Sequence, residues 1–253
     1  MIDITTTLVM LAIGIFGGFI SGLVGIGGAI IIYPAILLLP PLFGVAAYSP
    51  YIASGLTSSQ VFFSTMSGSF KARKKDEFSP HLVLNMGGGM IVGSILGALL
   101  ANLFNDTFVN IIYILIALLA LILMFIKVKP SSQKQNFNRR LLITVGTIIG
   151  IFSGIVGAGG AFIIIPVLLA LFKLPMNTVV ANSIVIAFIS SIGAFIVKLV
   201  QGYIPLDSAL FLIIGSILFA PIGMKVSTKV PDIVQKGIVC ILIVIAIVQL
   251  IFK

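Results

Sequence analysis

The sequence predicts an all-α polytopic membrane protein with 8–10 transmembrane segments in two inverted-topology repeats, each interrupted by a glycine-rich helix break. Three observations carry that prediction. Of the 253 residues 60% are hydrophobic and only 8% charged, at a mean hydropathy of +1.30. A soluble domain carries about 25% charged residues, so this chain lacks the charge to face water all round. Apolar runs near the ~20 residues that span a bilayer recur from end to end; they are continuously apolar, which excludes a transmembrane β-barrel with its alternating strands. Finally, "SGLVGIGGAIIIYP" at 21–34 returns as "SGIVGAGGAFIIIP" at 153–166.

Each segment has its own signature. Segment one, 6–25, carries Gly14, Gly18 and Gly22, a ladder suited to close helix packing, and runs into Gly25-Ile26-Gly27-Gly28. Segment two, 29–43, is short for a crossing and is punctuated by Pro40-Pro41. Segment three, 50–70, is unusually polar, with Thr57, Ser58, Ser59, Gln60, Ser64, Thr65 and Ser67. Segment four, 80–103, opens at Pro80 and carries a second ladder, Gly89, Gly93 and Gly97; segment five, 107–127, follows Asn105-Asp106. The plan then repeats. Segment six, 141–157, has Gly146, Gly150 and Gly154; segment seven, 160–172, is short again; segments eight to ten are 179–200, 206–224 and 232–252, punctuated by Pro175, Pro205 and Pro231. If segments one and two form a re-entrant hairpin rather than two crossings, the count falls to eight and the orientation is unchanged; segments six and seven pose the same choice.

Orientation comes from charge. Thirteen of the fifteen Lys and Arg residues fall at 71–75, 127–140, 173 and 225–236, whereas the loops at 44–50, 104–106 and 201–207 have none. The positive-inside rule puts the basic loops in the cytoplasm and both termini outside, in a multi-pass protein of the cell membrane. Tyr48, Tyr51 and Tyr203 then lie near the outer boundary, where aromatic belts form. The net charge of +9 sits in these loops rather than on a basic-aromatic face, so no nucleic-acid partner is expected. The N-terminus has no basic n-region and no A-x-A site, so no removable signal is expected.

The duplicated motif aligns at an offset of 132, and after a shorter loop the offset becomes 125, pairing Thr57-Ser58 with Asn182-Ser183, Pro80 with Pro205, and "GSILGA" at 93–98 with "GSILFA" at 215–220. The chain divides into a membrane repeat at 1–128, a cytoplasmic linker at 129–140 and a second repeat at 141–253. Five segments per half is an odd number, so the second half sits inverted, as in many secondary transporters whose solute site lies between the repeats.

Backbone that leaves a helix inside a membrane survives only where it is buried in protein or lines a cavity. Gly25, Gly27 and Gly28, with Gly157, Gly159 and Gly160, tolerate positive φ and permit close approach to the backbone. The segment after each break begins with free N–H groups and a partial positive charge, a natural anion site. The same glycines are also compatible with packing alone. Thr57, Ser58, Gln60, Asn182 and Ser183 are the candidate side-chain donors, although a membrane Ser or Thr often bonds only its own helix. Lys198 is the one basic residue inside a span, explained either by snorkelling or as a counter-charge for an anion. No carboxylate falls within a span, which argues against a cation pump, and there is no acid pair, His/Cys metal set or triad for an enzyme. Cys240, the single cysteine, permits no intrachain disulfide.

On these residues the chain resembles the TauE/SafE sulfite exporter-like permeases, also described as transmembrane sulfur-compound and organic-anion exporters. The resemblance covers nearly the whole chain and rests on the duplicated glycine motif, the pairs Thr57-Ser58 and Asn182-Ser183, and the turn at Gly202-Tyr203-Ile204, with Asn182 standing where the family pattern has threonine. It implies outward movement of sulfite, sulfoacetate or related anions. The expectation is a permease, not an enzyme, that exports small sulfur-containing or organic anions by alternating access without cofactor or metal, as a monomer or a homodimer. An anion channel of the same architecture and a non-transporting assembly subunit are the alternatives.

Overall fold

The structure, a computed structural model, describes residues 4–25, 27–126, 137–157 and 160–251; most of the expected linker, 129–136, lies outside them, as does Gly159. Among the described residues it is all-helical: α1 (Ile4–Val24), α2 (Ala29–Leu42), α3 (Pro50–Ala72), α4 (Pro80–Leu100), α5 (Asp106–Phe125), α6 (Arg139–Val156), α7 (Ala161–Ala170), α8 (Met176–Val200), α9 (Leu206–Ser227) and α10 (Asp232–Ile251). The starts are locally encoded. Ser49 and Ser79 cap α3 and α4 ahead of Pro50 and Pro80, and the Asn105 side chain accepts from Phe108 N–H at the start of α5.

Among the described residues, seven helices are long and apolar enough to cross a membrane: α1, α4, α5, α6, α8, α9 and α10. α3 has the length, 23 residues, but is the polar helix, and α2 and α7, at 14 and 10 residues, are short of a crossing. Leu115, Leu119, Ile122, Ile241, Ile245 and Val248 stand exposed on α5 and α10, an apolar outside that suits lipid.

Pro40-Pro41, expected to stop segment two, lie inside the last turn of α2, which ends at Leu42 with Phe43 and Gly44 N–H bonding back to Pro40 and Pro41 carbonyls. A proline this close to a helix end removes few bonds. Pro34 is costlier, because it cannot donate to the Ile30 carbonyl one turn back. The buried Tyr113 hydroxyl of α5 donates to that carbonyl instead, while Tyr113 stacks on Tyr33 with centroids 4.9 Å apart.

The three glycine ladders are packing seams. On α6, Gly146, Gly150 and Gly154 meet the backbone of Met86, Met90 and Ser94 on α4, and the two helices advance together, so they run parallel. On α1, Gly14, Gly18 and Gly22 meet Leu212, Ser216 and Ala220 of α9, again in parallel. In each case a Cβ on the glycine would occupy space already filled by the neighbour's backbone. α3 and α8 cross at the centre in opposite directions: Gly55 lies against Tyr203 just beyond the end of α8, and Gly68 against Ile184 near its start. α4 packs on α8, α9 on α3, and α5 on α10.

Candidate functional site

α3 and α8 are buried on nearly every face, and both glycine interruptions pack against them. After Val24 the chain turns through Gly25, Gly27 and Gly28, at φ of 80°, 69° and 76°, before α2 begins. Gly25 lies against α8, its carbonyl accepting from Ser183 Oγ at 3.0 Å. After Val156 the chain turns through Gly157 (φ 79°) and Gly160 (φ 70°) into α7. Gly157 lies against the backbone of Ser54 on α3, and a Cβ on Gly160 would stand 3.1 Å from Ser153 Oγ. The interruption after α1 therefore rests on α8, and the one after α6 rests on α3.

Gly28 and Gly160 are the N-caps of α2 and α7, and neither helix is capped by a side chain. An α-helix leaves its first N–H groups without intrahelical partners, so these ends carry unspent donors and partial positive charge. At α2 a second feature converges. Gln60, at the middle of α3, is fully buried, and neither its amide nitrogen nor its amide oxygen has a hydrogen-bond partner among the described residues. Its Nε2 lies 3.2 Å from where a Gly28 Cβ would stand and 3.7 Å from where a Gly17 Cβ would stand, so the amide is aimed at the glycine turn. One turn further along α3, Ser64 Oγ donates to Ser21 Oγ.

The other expected donors are differently employed. Thr57 Oγ1 donates to Ala53 O at 2.7 Å and Ser58 Oγ to Gly55 O at 2.7 Å, so both hydroxyl protons are spent within α3. Asn182 uses both amide protons on Glu77 O (2.9 Å) and Thr178 O (2.7 Å), and its oxygen accepts from Ser79 N–H (2.8 Å). It latches the α3–α4 loop onto α8. Asn182→Ala should leave those loop groups unpaired, costing about 1–3 kcal/mol. Trypsin should then nick after Arg73, Lys74 and Lys75 severalfold faster than in the native protein, as followed by gel electrophoresis.

Lys198 is buried near the opposite end of α8; its ammonium has no hydrogen-bond partner among the described residues and lies 5.4 Å from the centroid of the Tyr203 ring. Tyr203 in turn stacks on Tyr51 and donates to Asn102 Oδ1. The residues brought together are thus Gly17, Gly25, Gly27, Gly28, Gln60 and Ser183, with Ser21 and Ser64 beside them; Lys198 stands apart toward one end. Ser21 was legible only as half of the repeated Ser21/Ser153 pair. Its bond to Ser64 required the helix-to-helix register. No group of three or more His, Cys, Asp or Glu among the described residues could hold a metal.

Comparison with known proteins gives one consistent result. The family model described as "Sulfite exporter TauE/SafE" matches residues 10–250. Two relatives from Bacillus subtilis (strain 168) bear the names "Probable membrane transporter protein YunE", 25% identical over 93% of this chain and 94% of its own, and "Probable membrane transporter protein YdhB", 26% identical over 91% and 92%. A probable membrane transporter protein of Methanocaldococcus jannaschii is 26% identical over 87% of this chain and 86% of its own. No solved structure matches.

Proposed function

The chain belongs to the sulfite exporter TauE/SafE family, a family of membrane transporters, and on that premise we propose that it exports small sulfur-containing or organic anions across the cell membrane. The observation that carries the anion is the unpaired Gln60 amide facing the uncapped start of α2. A buried amide without a partner costs about 1–3 kcal/mol, which a solute accepting its N–H and the first N–H groups of α2 would recover. An anion with several oxygens suits such a donor set, and the site holds no carboxylate to repel it.

We read the two halves as inverted repeats with both termini outside. The parallel pairs α1–α9 and α6–α4, with the antiparallel crossing of α3 and its counterpart α8, support that reading. The glycine seams join helices from different halves. The bodies that move in alternating access are then mixed ones, held by the α1–α9 and α4–α6 seams and hinged at the two glycine turns. Gates at the two ends correspond to the Asn182 latch on the α3–α4 loop and the Tyr51–Tyr203 stack.

Expelling a monovalent anion from an inside-negative compartment is favoured by about 2.3 kcal/mol per 100 mV, so such a carrier needs no coupling ion. The test is efflux of sulfite, sulfoacetate and a carboxylate control from proteoliposomes, with and without a potassium-diffusion potential. Efflux of at least one sulfur anion should saturate and rise with inside-negative potential. A flux that ignores the potential and follows a proton or sodium gradient would overturn the uncoupled mechanism. No movement of any anion under either polarity would overturn the transport reading.

A further inference from the structure

We propose that the end of the molecule bearing the basic loops holds a second anion site, an antechamber that gathers the transported anion before it reaches the glycine turn. The inference rests on the transport reading above. Lys71 and Lys75, at the end of α3, and Lys225 and Lys229, at the end of α9, line one cavity of about 450 Å³ with no acidic residue in its wall. In each pair one lysine sits in the last turn of its helix and the other just beyond the helix end, and both line the same cavity. The partial negative charge of a helix C-terminus accounts for a cation in the last turn, as at Lys71 and Lys225, and fades beyond it. α3 ends at Ala72 and α9 at Ser227, so the dipole leaves Lys75 and Lys229 unexplained. Lys71, Lys225 and Lys229 are exposed and Lys75 half-buried, so water screens their mutual repulsion in part, and an anion among them would relieve the rest.

The pocket leads inward. A neighbouring cleft of about 360 Å³ shares Lys75 and Thr228 with it and extends past Asn177 to Val180. Val180 Cγ1 lies 3.2 Å from where a Gly25 Cβ would stand, and Ser183, on the same helix, donates to the Gly25 carbonyl. The cleft also carries Lys74 with Asp76 and Glu77, so its charges nearly balance. The positive field therefore peaks in the outer pocket and weakens toward the turn, which lets an anion be collected and then released inward. No aromatic side chain lines the pocket, so nothing there would stack a nucleobase; a small oxyanion fits the chemistry. A phospholipid headgroup offers the same chemistry from another source, and the experiment separates the two.

Sulfite uptake into the lysine-bearing face is measured in phosphatidylcholine vesicles at about 20 and 200 mM salt, for the native protein and a variant with Lys71→Gln, Lys75→Gln, Lys225→Gln and Lys229→Gln. Steered capture weakens with salt as the Debye length shrinks. The native KM should rise severalfold between the two salts. The variant should show the higher KM at both, with kcat unchanged, while Arg139→Gln with Arg140→Gln, at the same end but outside the pocket, should behave as native. Equal KM and equal salt dependence in the lysine variant would overturn the antechamber. So would anionic phospholipid in the vesicles raising the native KM to the variant's value, because the lysines would then serve a headgroup. If the native protein moves no anion, the transport reading fails separately, and binding decides the antechamber. At constant ionic strength, sulfite should raise the native thermal midpoint and leave that of the variant unmoved; no difference between them would overturn it.

Discussion

Gly93→Ala should destabilise the folded protein by about 3 kcal/mol, whereas Gly88→Ala, five residues earlier on the same helix, should stabilise it by about 0.5–1 kcal/mol. The difference lies entirely in what each new methyl group meets. At Gly93 it would overlap the Thr147 carbonyl and stand 2.8 Å from Ile151 N and 3.0 Å from Gly150 Cα, all backbone of α6, which cannot rotate away. Overpacking a close seam costs about 1–3 kcal/mol, and backbone on both sides puts this site at the upper end. Gly88 faces open space, with nothing within 4 Å, so Ala there only removes the conformational freedom that makes glycine a poor helix former. Thermal midpoints in detergent, read by loss of the monodisperse peak, should move in opposite directions. If Gly93→Ala leaves the midpoint where it was, the α4–α6 seam is not the close contact described here.

That pair of positions also marks how far the sequence could be read. The period-four ladders announced close helix packing, because membrane helices approach closely only where side chains are small. They could not say which helices meet. Gly93 and Gly97 look the same as Gly14 and Gly18, yet the first pair faces α6 and the second faces α9, each a helix distant along the chain. Pairing is a long-range property, set by how the helices fill space together, and no local pattern encodes it.

The polar residues divide similarly. Thr57, Ser58 and Asn182 stood out as polar groups in an apolar chain, and the sequence could not tell a hydroxyl bonded to its own helix from one left free. That distinction depends on a rotamer and on a neighbour up to 105 residues away, as for Asn182 and Glu77. Pro34 carries a cue of its own: a proline six residues into a short helix strands a carbonyl, and something must bond it. The Tyr113 hydroxyl does so, and it ties α5 to the helix that begins at the candidate site. The glycine turns were the most legible feature, because three glycines in four residues have a conformational meaning that holds in any context.

Gln60→Leu should raise stability and sharply reduce transport together, and the pairing of opposite signs is what tests the site. Both amide atoms are buried without partners, so the native residue is held at a cost of about 1–3 kcal/mol that an apolar side chain of similar size avoids. The thermal midpoint of the variant in detergent should rise. At the same time the anion loses the one side-chain donor aimed at the start of α2, and flux should fall at least tenfold, since an unmatched buried donor or acceptor is worth more than ~1.4 kcal/mol. Gln60→Glu sharpens the test: a carboxylate in the same place keeps the shape, removes the donors and repels an anion, so its flux should be no better than that of the leucine variant. Leu at 60 with native flux and a raised midpoint would show that the amide is a packing defect rather than a binding group. A lowered midpoint would show that Gln60 holds the α1–α3 contact itself, through partners absent from the structure, and the site would then have to be sought at Lys198, the other buried polar group of the two central helices with an unpaired nitrogen.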